Sequence, residues 1–111
     1  DGAPLAEQIA SLRQTLKEMD EDPQAYLKLV TAWMSGDLVT IDREALQPLR
    51  RASPNVFRRL VVGRNAAWTQ ALDARLKGSG RTVVVVGVGH LVGREGLPAR
   101  LRALGYSVTG P

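Results

Sequence analysis

Five consecutive β-branched residues, Thr82 to Val86, run without interruption into Gly87-Val88-Gly89-His90. Such side chains are stiff at χ1, crowd a helix and pack well on a pleated surface. Because apolar and polar residues do not alternate, the run predicts a strand buried on both faces, as central parallel strands are. A helix is expected from about Arg94 to Leu104, with Leu97, Leu101 and Leu104 on one side and Gly105 as its stop. Tyr106 to Thr109 then reads as a second short strand. Strand, helix and strand at this spacing define a right-handed βαβ unit with parallel strands. Two strands do not make a stable sheet, so the unit calls for others. The expected fold is therefore α/β and α-rich: a helical N-terminal two-thirds, then a βαβ unit with a short parallel sheet, as part of a larger fold.

Upstream, the pattern is helical. Leu5, Ile9, Leu12, Leu16 and Met19 recur at spacings of four and three and place one apolar stripe on a helix that begins near Pro4. Asp20-Glu21-Asp22-Pro23 ends it, and Asp22 is set to cap a second helix bearing Tyr26, Val30, Trp33 and Met34 on its apolar face, with Gly36 as the stop. A third helix is expected from about Asp42 to Leu49, with Ile41, Ala45, Leu46 and Leu49 inward and its end blurred by Pro48. Ser53-Pro54 opens a short segment in which Val56, Phe57, Leu60 and Val61 share a face and which Gly63 interrupts. A fifth helix, about Asn65 to Lys77, carries Trp68, Leu72 and Leu76 and ends at Gly78-Ser79-Gly80. The 111 residues thus read as a single domain or fragment, helical over 1–62, with helix, strand, loop, helix and strand over 63–111.

Composition narrows the class. Hydrophobic residues make up 44% of the chain, enough for a core, and no apolar run approaches the roughly 20 residues that span a bilayer. The absence of cysteine excludes disulfides, thiolate metal sites and a thiol nucleophile. Charge is uneven: nine acidic and four basic residues up to Pro48, then two acidic and eleven basic. Basic residues are 12 Arg to 3 Lys and aromatics only 5%, which argues against a nucleic-acid surface and for acidic and basic halves that pack together.

Chemistry concentrates in Gly87-Val88-Gly89-His90-Leu91-Val92-Gly93, where a strand is expected to end and a helix to follow, the place at which open α/β sheets bind ligands. Gly87, Gly89 and Gly93 are the candidate loop-shaping residues, allowing a tight turn and close backbone approach. His90, the single histidine, is either a candidate metal ligand or an imidazole bonded to nearby backbone. Zinc and similar ions usually take three or four protein ligands, and here partners could come only from carboxylates or amides such as Glu95 or Asn65. The same glycines give a variant dinucleotide pattern, Gly-x-Gly-x-x-x-Gly, but no Asp or Glu follows the second strand to hold a ribose.

Arg64-Asn65-Ala66-Ala67-Trp68, the valine run, Gly87 to Gly93, Gly96-Leu97 and Leu101 to Val108, with Trp33-Met34-Ser35-Gly36-Asp37 upstream, resemble the C-terminal part of the TraB/GumN family, whose Tiki- and PrgY-related members are metalloprotease-like. The resemblance runs from about Leu5. It implies a metal-dependent peptidase-like hydrolase in which two Gly-x-x-His motifs, one from each half, bring histidines to a divalent metal (Mn²⁺, Co²⁺ or Zn²⁺) that polarises a carbonyl and acidifies bound water. An earlier Gly-x-x-His is absent here, so the chain is expected to be a C-terminal half whose site is completed by an N-terminal half of the same protein, with this half inactive or weakly active alone and the metal bound in the full-length protein. Carried over, His90 is the metal ligand, and Arg64 and Asn65 are the candidate catalytic residues, Arg64 being suited to a carboxylate or an oxyanion. Trp33 is expected in the core, Gly36 as a helix stop and Asp37 as a cap. A peptide or protein substrate and a periplasmic or cell-envelope location also follow from the resemblance. The alternative is a non-catalytic envelope binding module linked to polysaccharide or peptide-signal handling. An unfinished sheet further predicts a homo-oligomer.

Overall fold

The computed structural model describes residues 4–110; residues 1–3 and 111, the ends of the expected domain, lie outside them. Helix α1 spans Leu5–Glu21 and α2 spans Ala25–Ser35. The short α3, Leu38–Ile41, passes through a wide π turn, Asp42–Leu46, into α4, Gln47–Ala52. In the same way α5, Pro54–Phe57, passes through a π turn, Arg58–Gly63, into α6, Arg64–Leu76. A 3₁₀ turn, Val88–His90, and α7, Leu97–Ala103, complete the elements.

No strand or sheet occurs among the described residues, so the chain is all-helical and the expected βαβ unit is absent. The reason lies in pairing. Arg81 to Val86 makes no backbone–backbone hydrogen bond among the described residues, and a strand exists only through a ladder. The burial expected on both faces fails with it: Val83 and Val85 are 89% and 90% exposed. The second expected strand is held by a side chain instead, because the Arg102 guanidinium donates to the carbonyls of Val108 (3.3 Å) and Gly110 (2.8 Å). Tyr106 Oη donates to Asp73 Oδ1 at 2.6 Å and ties this tail to α6. Val84, Val86 and Val108 line one apolar groove with Leu72, Leu97 and Leu101, so the would-be strands lie near each other without joining.

Both wide turns have local causes. Pro48 has no N–H to return to the preceding turn, and the widened loop before it shifts the bond at Gln47, whose N–H reaches the Asp42 carbonyl. Gly63 does not interrupt its helix as expected; it is helical at φ −65°, ψ −43°, and a Cβ there would come 3.3 Å from the Arg58 carbonyl oxygen. Gly36 does stop α2, with φ +71° and its N–H returned to α2 carbonyls. Asp37 caps α3, accepting from Thr40 N–H. Asp22 accepts from Gln24 N–H, and α2 begins only after Gln24.

The core is small: Ala32, Ile41, Leu46, Phe57, Val61 and Val92, flanked by Leu38, Leu49, Val62 and Val88. Arg50 lies over the Phe57 ring, 4.7 Å from its centroid. The α1 stripe stays outside it, since Leu5, Ile9, Leu12, Leu16 and Met19 are all exposed and α1 buries no residue. Trp33, expected in the core, is 64% exposed, and of α2 only Ala32 is buried. The acidic and basic halves do meet in this core, Ala32, Ile41 and Leu46 from one and Phe57, Val61 and Val92 from the other, but α1 buries no residue. A radius of gyration of 15.9 Å exceeds the roughly 13 Å of a compact domain of this size.

Candidate functional site

Helix periodicity sets out the site. On α6, Asn65 and Thr69 lie four residues apart on one buried stripe, while Arg64, Trp68 and Leu72 repeat at the same interval on the adjacent stripe. The second stripe walls an open groove of about 530 Å³, opposite Val84 to Gly87 and His90. Asn65 is completely buried. It is an interior helix residue rather than a helix cap, and its backbone carbonyl accepts both within the helix and from Thr69 Oγ1 at 2.6 Å.

His90 reaches α6 from the 3₁₀ turn. Its Nδ1 lies 2.8 Å from Asn65 Oδ1, and its ring meets Trp68 edge-on, with centroids 4.8 Å apart and planes at 62°. Asn65 Nδ2 donates to the Glu95 backbone carbonyl at 2.7 Å. Arg100 supports the same residue, with Nε 3.2 Å from the Glu95 carbonyl and a terminal nitrogen 3.4 Å from Oε2. Among the described residues, every buried side-chain nitrogen or oxygen has a partner. Partial burial, and after it the nearby Arg64 guanidinium, holds the His90 imidazole below its ordinary 6.5 and therefore neutral at pH 7.

The loop glycines divide by role. Gly93 adopts φ +74°, which a side chain resists, and a Cβ on Gly89 would meet Leu46 Cδ2 at 3.2 Å. Gly87 has an ordinary extended backbone at φ −62°, ψ 145°, and a Cβ there would make only van der Waals contact with His90 at 4.0 Å. Gly96 is the tighter position: its Cβ would fall 2.9 Å from the Leu91 carbonyl carbon and the Val92 oxygen.

The structure thus brings together Asn65 and His90, which the sequence separates by 25 residues, and sets Arg64, exposed, on the wall of the same groove. Two participants were not singled out as site residues. Trp68 was placed only on the fifth helix with Leu72 and Leu76, although its spacing from Arg64 carried the signal. Glu95 was considered only as a carboxylate ligand, whereas its carboxylate is paired with Arg100 and its carbonyl anchors Asn65. No group of three or more His, Asp or Glu side chains capable of holding a metal occurs among the described residues. His90 fits as one imidazole ligand, but the donors present do not compose a metal site on their own.

An all-helical domain that seats one neutral histidine on a buried asparagine, beside an arginine-lined groove, is the setting for the comparison with known proteins. The family profile described as TraB/PrgY/gumN matches residues 1–110, and the chain belongs to that family. No curated protein and no solved structure matches the chain.

Proposed function

We propose that the groove beside His90 is one half of a metal-dependent, peptidase-type hydrolytic site. The observation that carries this reading is the placement of His90: neutral, fixed through Nδ1, and on the wall of a groove with Arg64 and Trp68. An imidazole held through one nitrogen by an outer residue is the arrangement that orients a metal ligand. In this reading His90 supplies one ligand to Mn²⁺, Co²⁺ or Zn²⁺. The remaining ligands come from an N-terminal half of the same protein.

The chain's own residues have assignable parts. Arg64 offers a guanidinium at the groove for a substrate carboxylate or for charge developing on a carbonyl oxygen. Trp68 and Leu72 give the groove an apolar wall that suits a peptide side chain. A periplasmic or cell-envelope protein that acts on peptides fits this assignment, and the exposed apolar faces support assembly with further chain.

Peptide hydrolysis by protein carrying both halves tests the reading. Activity should need a divalent metal, should be abolished by His90→Ala and should fall about 100-fold in Arg64→Ala. Hydrolysis that survives both a chelator and His90→Ala would overturn it, as would the absence of any metal-dependent hydrolysis.

A further inference from the structure

We propose that Asn65 is a positioning residue that fixes the tautomer of His90, keeping the proton on Nδ1 and the lone pair on Nε2. The inference rests on the hydrolytic reading only for what that lone pair is used for. It deepens that reading by naming the residue that prepares the ligand.

The argument starts at a backbone atom. The Glu95 carbonyl oxygen can only accept, so the Asn65 atom 2.7 Å from it must be the amide nitrogen. Turning the amide over would set two acceptor oxygens against each other at that distance. The amide oxygen therefore faces His90 Nδ1 at 2.8 Å, and since that oxygen also only accepts, Nδ1 must carry the hydrogen. A carbonyl on one side of the asparagine thus dictates the protonation of a ring on the other.

Nothing near the amide lets the order relax. Asn65 is completely buried, so water cannot take the place of either partner. Arg100 donates from Nε to the same Glu95 carbonyl at 3.2 Å and holds it in place. The edge-on contact with Trp68, centroids 4.8 Å apart, opposes rotation of the imidazole. Free histidine prefers its proton on Nε2, so the fold imposes the less favoured form, and that form leaves Nε2 able to bind a metal or accept a proton.

The test reads the ring directly. Long-range ¹H–¹⁵N correlation spectra of the metal-free, ¹⁵N-labelled protein, at a pH where His90 is neutral, contain one histidine and need no assignment by mutation. The wild type should show a protonated Nδ1 and a bare Nε2, and folded Asn65→Ala should move the proton largely to Nε2. An Nε2–H form in the wild type would overturn the proposal, whether or not the variant folds; so would an unchanged tautomer in folded Asn65→Ala. Adding Zn²⁺ to protein carrying both halves, with the His90 signals assigned by comparison with His90→Gln, separates the two ideas. Failure to perturb Nε2, in protein carrying both halves, counts against the hydrolytic site and leaves the tautomer result standing.

Discussion

Two segments of this chain face the same groove and are held in opposite ways. Around Asn65 every partner is specified: an amide between a carbonyl and an imidazole, a threonine hydroxyl behind it, an arginine on the carbonyl. Along Thr82 to Val86 the side chains are far more apolar, yet Val83 and Val85 point into solvent and the backbone lacks ladder partners. The most buried side chain at the site is thus polar, and the most β-prone run is among the most exposed. Hydrophobicity states what a residue would gain from burial; geometry and hydrogen-bond partners decide whether the burial happens.

Mutations can sharpen this contrast. The largest effect is expected in the core, where Ile41 is 1% exposed: Ile41→Ala should cost about 3 kcal/mol in denaturant unfolding. Asn65→Ala follows at about 2 kcal/mol, because it leaves a buried carbonyl short of a donor and Nδ1–H without an acceptor. A loss confined to a few tenths of a kcal/mol at Asn65 would show the clamp to be loose and would break the comparison.

A smaller effect should appear with pH. Because the His90 imidazole is held below 6.5, the unfolded chain binds more protons between that depressed value and 6.5. Stability should therefore be flat above 6.5 and decline as pH falls through the window beneath it, and His90→Gln should remove that decline. The carboxyls of Asp22, Asp37 and Asp73 are held below 3.8 by their hydrogen bonds, so their losses set in at lower pH than the onset of the histidine decline. Unfolding curves recorded across the pH range separate the two.

The smallest change is expected on α1. Leu12 is 61% exposed, so Leu12→Ala should shift stability by no more than about 0.5 kcal/mol. A penalty of 2 kcal/mol or more would mean that another surface covers the α1 stripe in solution. Light scattering on the same variant would then tell whether that surface is a second copy.

Much of the helical order was legible in residues. The α1 stripe, the stop at Gly36, the cap at Asp37 and the inward faces of Ile41, Leu46, Phe57 and Val61 follow from spacing and capping chemistry. Spacing does not say whether a partner exists for a face, which is why Trp33 was expected inside and lies outside, and why the α1 stripe, though drawn correctly, has no neighbour among the described residues to cover it. Gly63 and Pro48 read as interruptions because glycine and proline usually are; here a widened turn absorbs each of them. The valine run read as a strand because its side chains favour one, but strand formation is a property of pairs.

At the site, His90 and the Arg64-Asn65 pair stood out in the sequence, and the fold sets Arg64 and His90 on one groove with Asn65 buried behind the imidazole. The link that orders them did not stand out. Glu95 acts through its backbone oxygen, and an atom common to every residue leaves no mark in a sequence. Gly96 was visible only as part of the family string, although the backbone beside it leaves no room for a Cβ.

The open valine run has one more consequence, for the chain in a crowded solution. Thr82 to Val86 has the composition of a cross-β segment: strongly β-prone, uncharged, free of proline, and with no backbone–backbone hydrogen bond among the described residues. Copies of it would stack in register with each other more readily than most of this surface. Arg81 stands at its head and would place like charges above one another at every step of such a stack, serving as the gatekeeper of the segment.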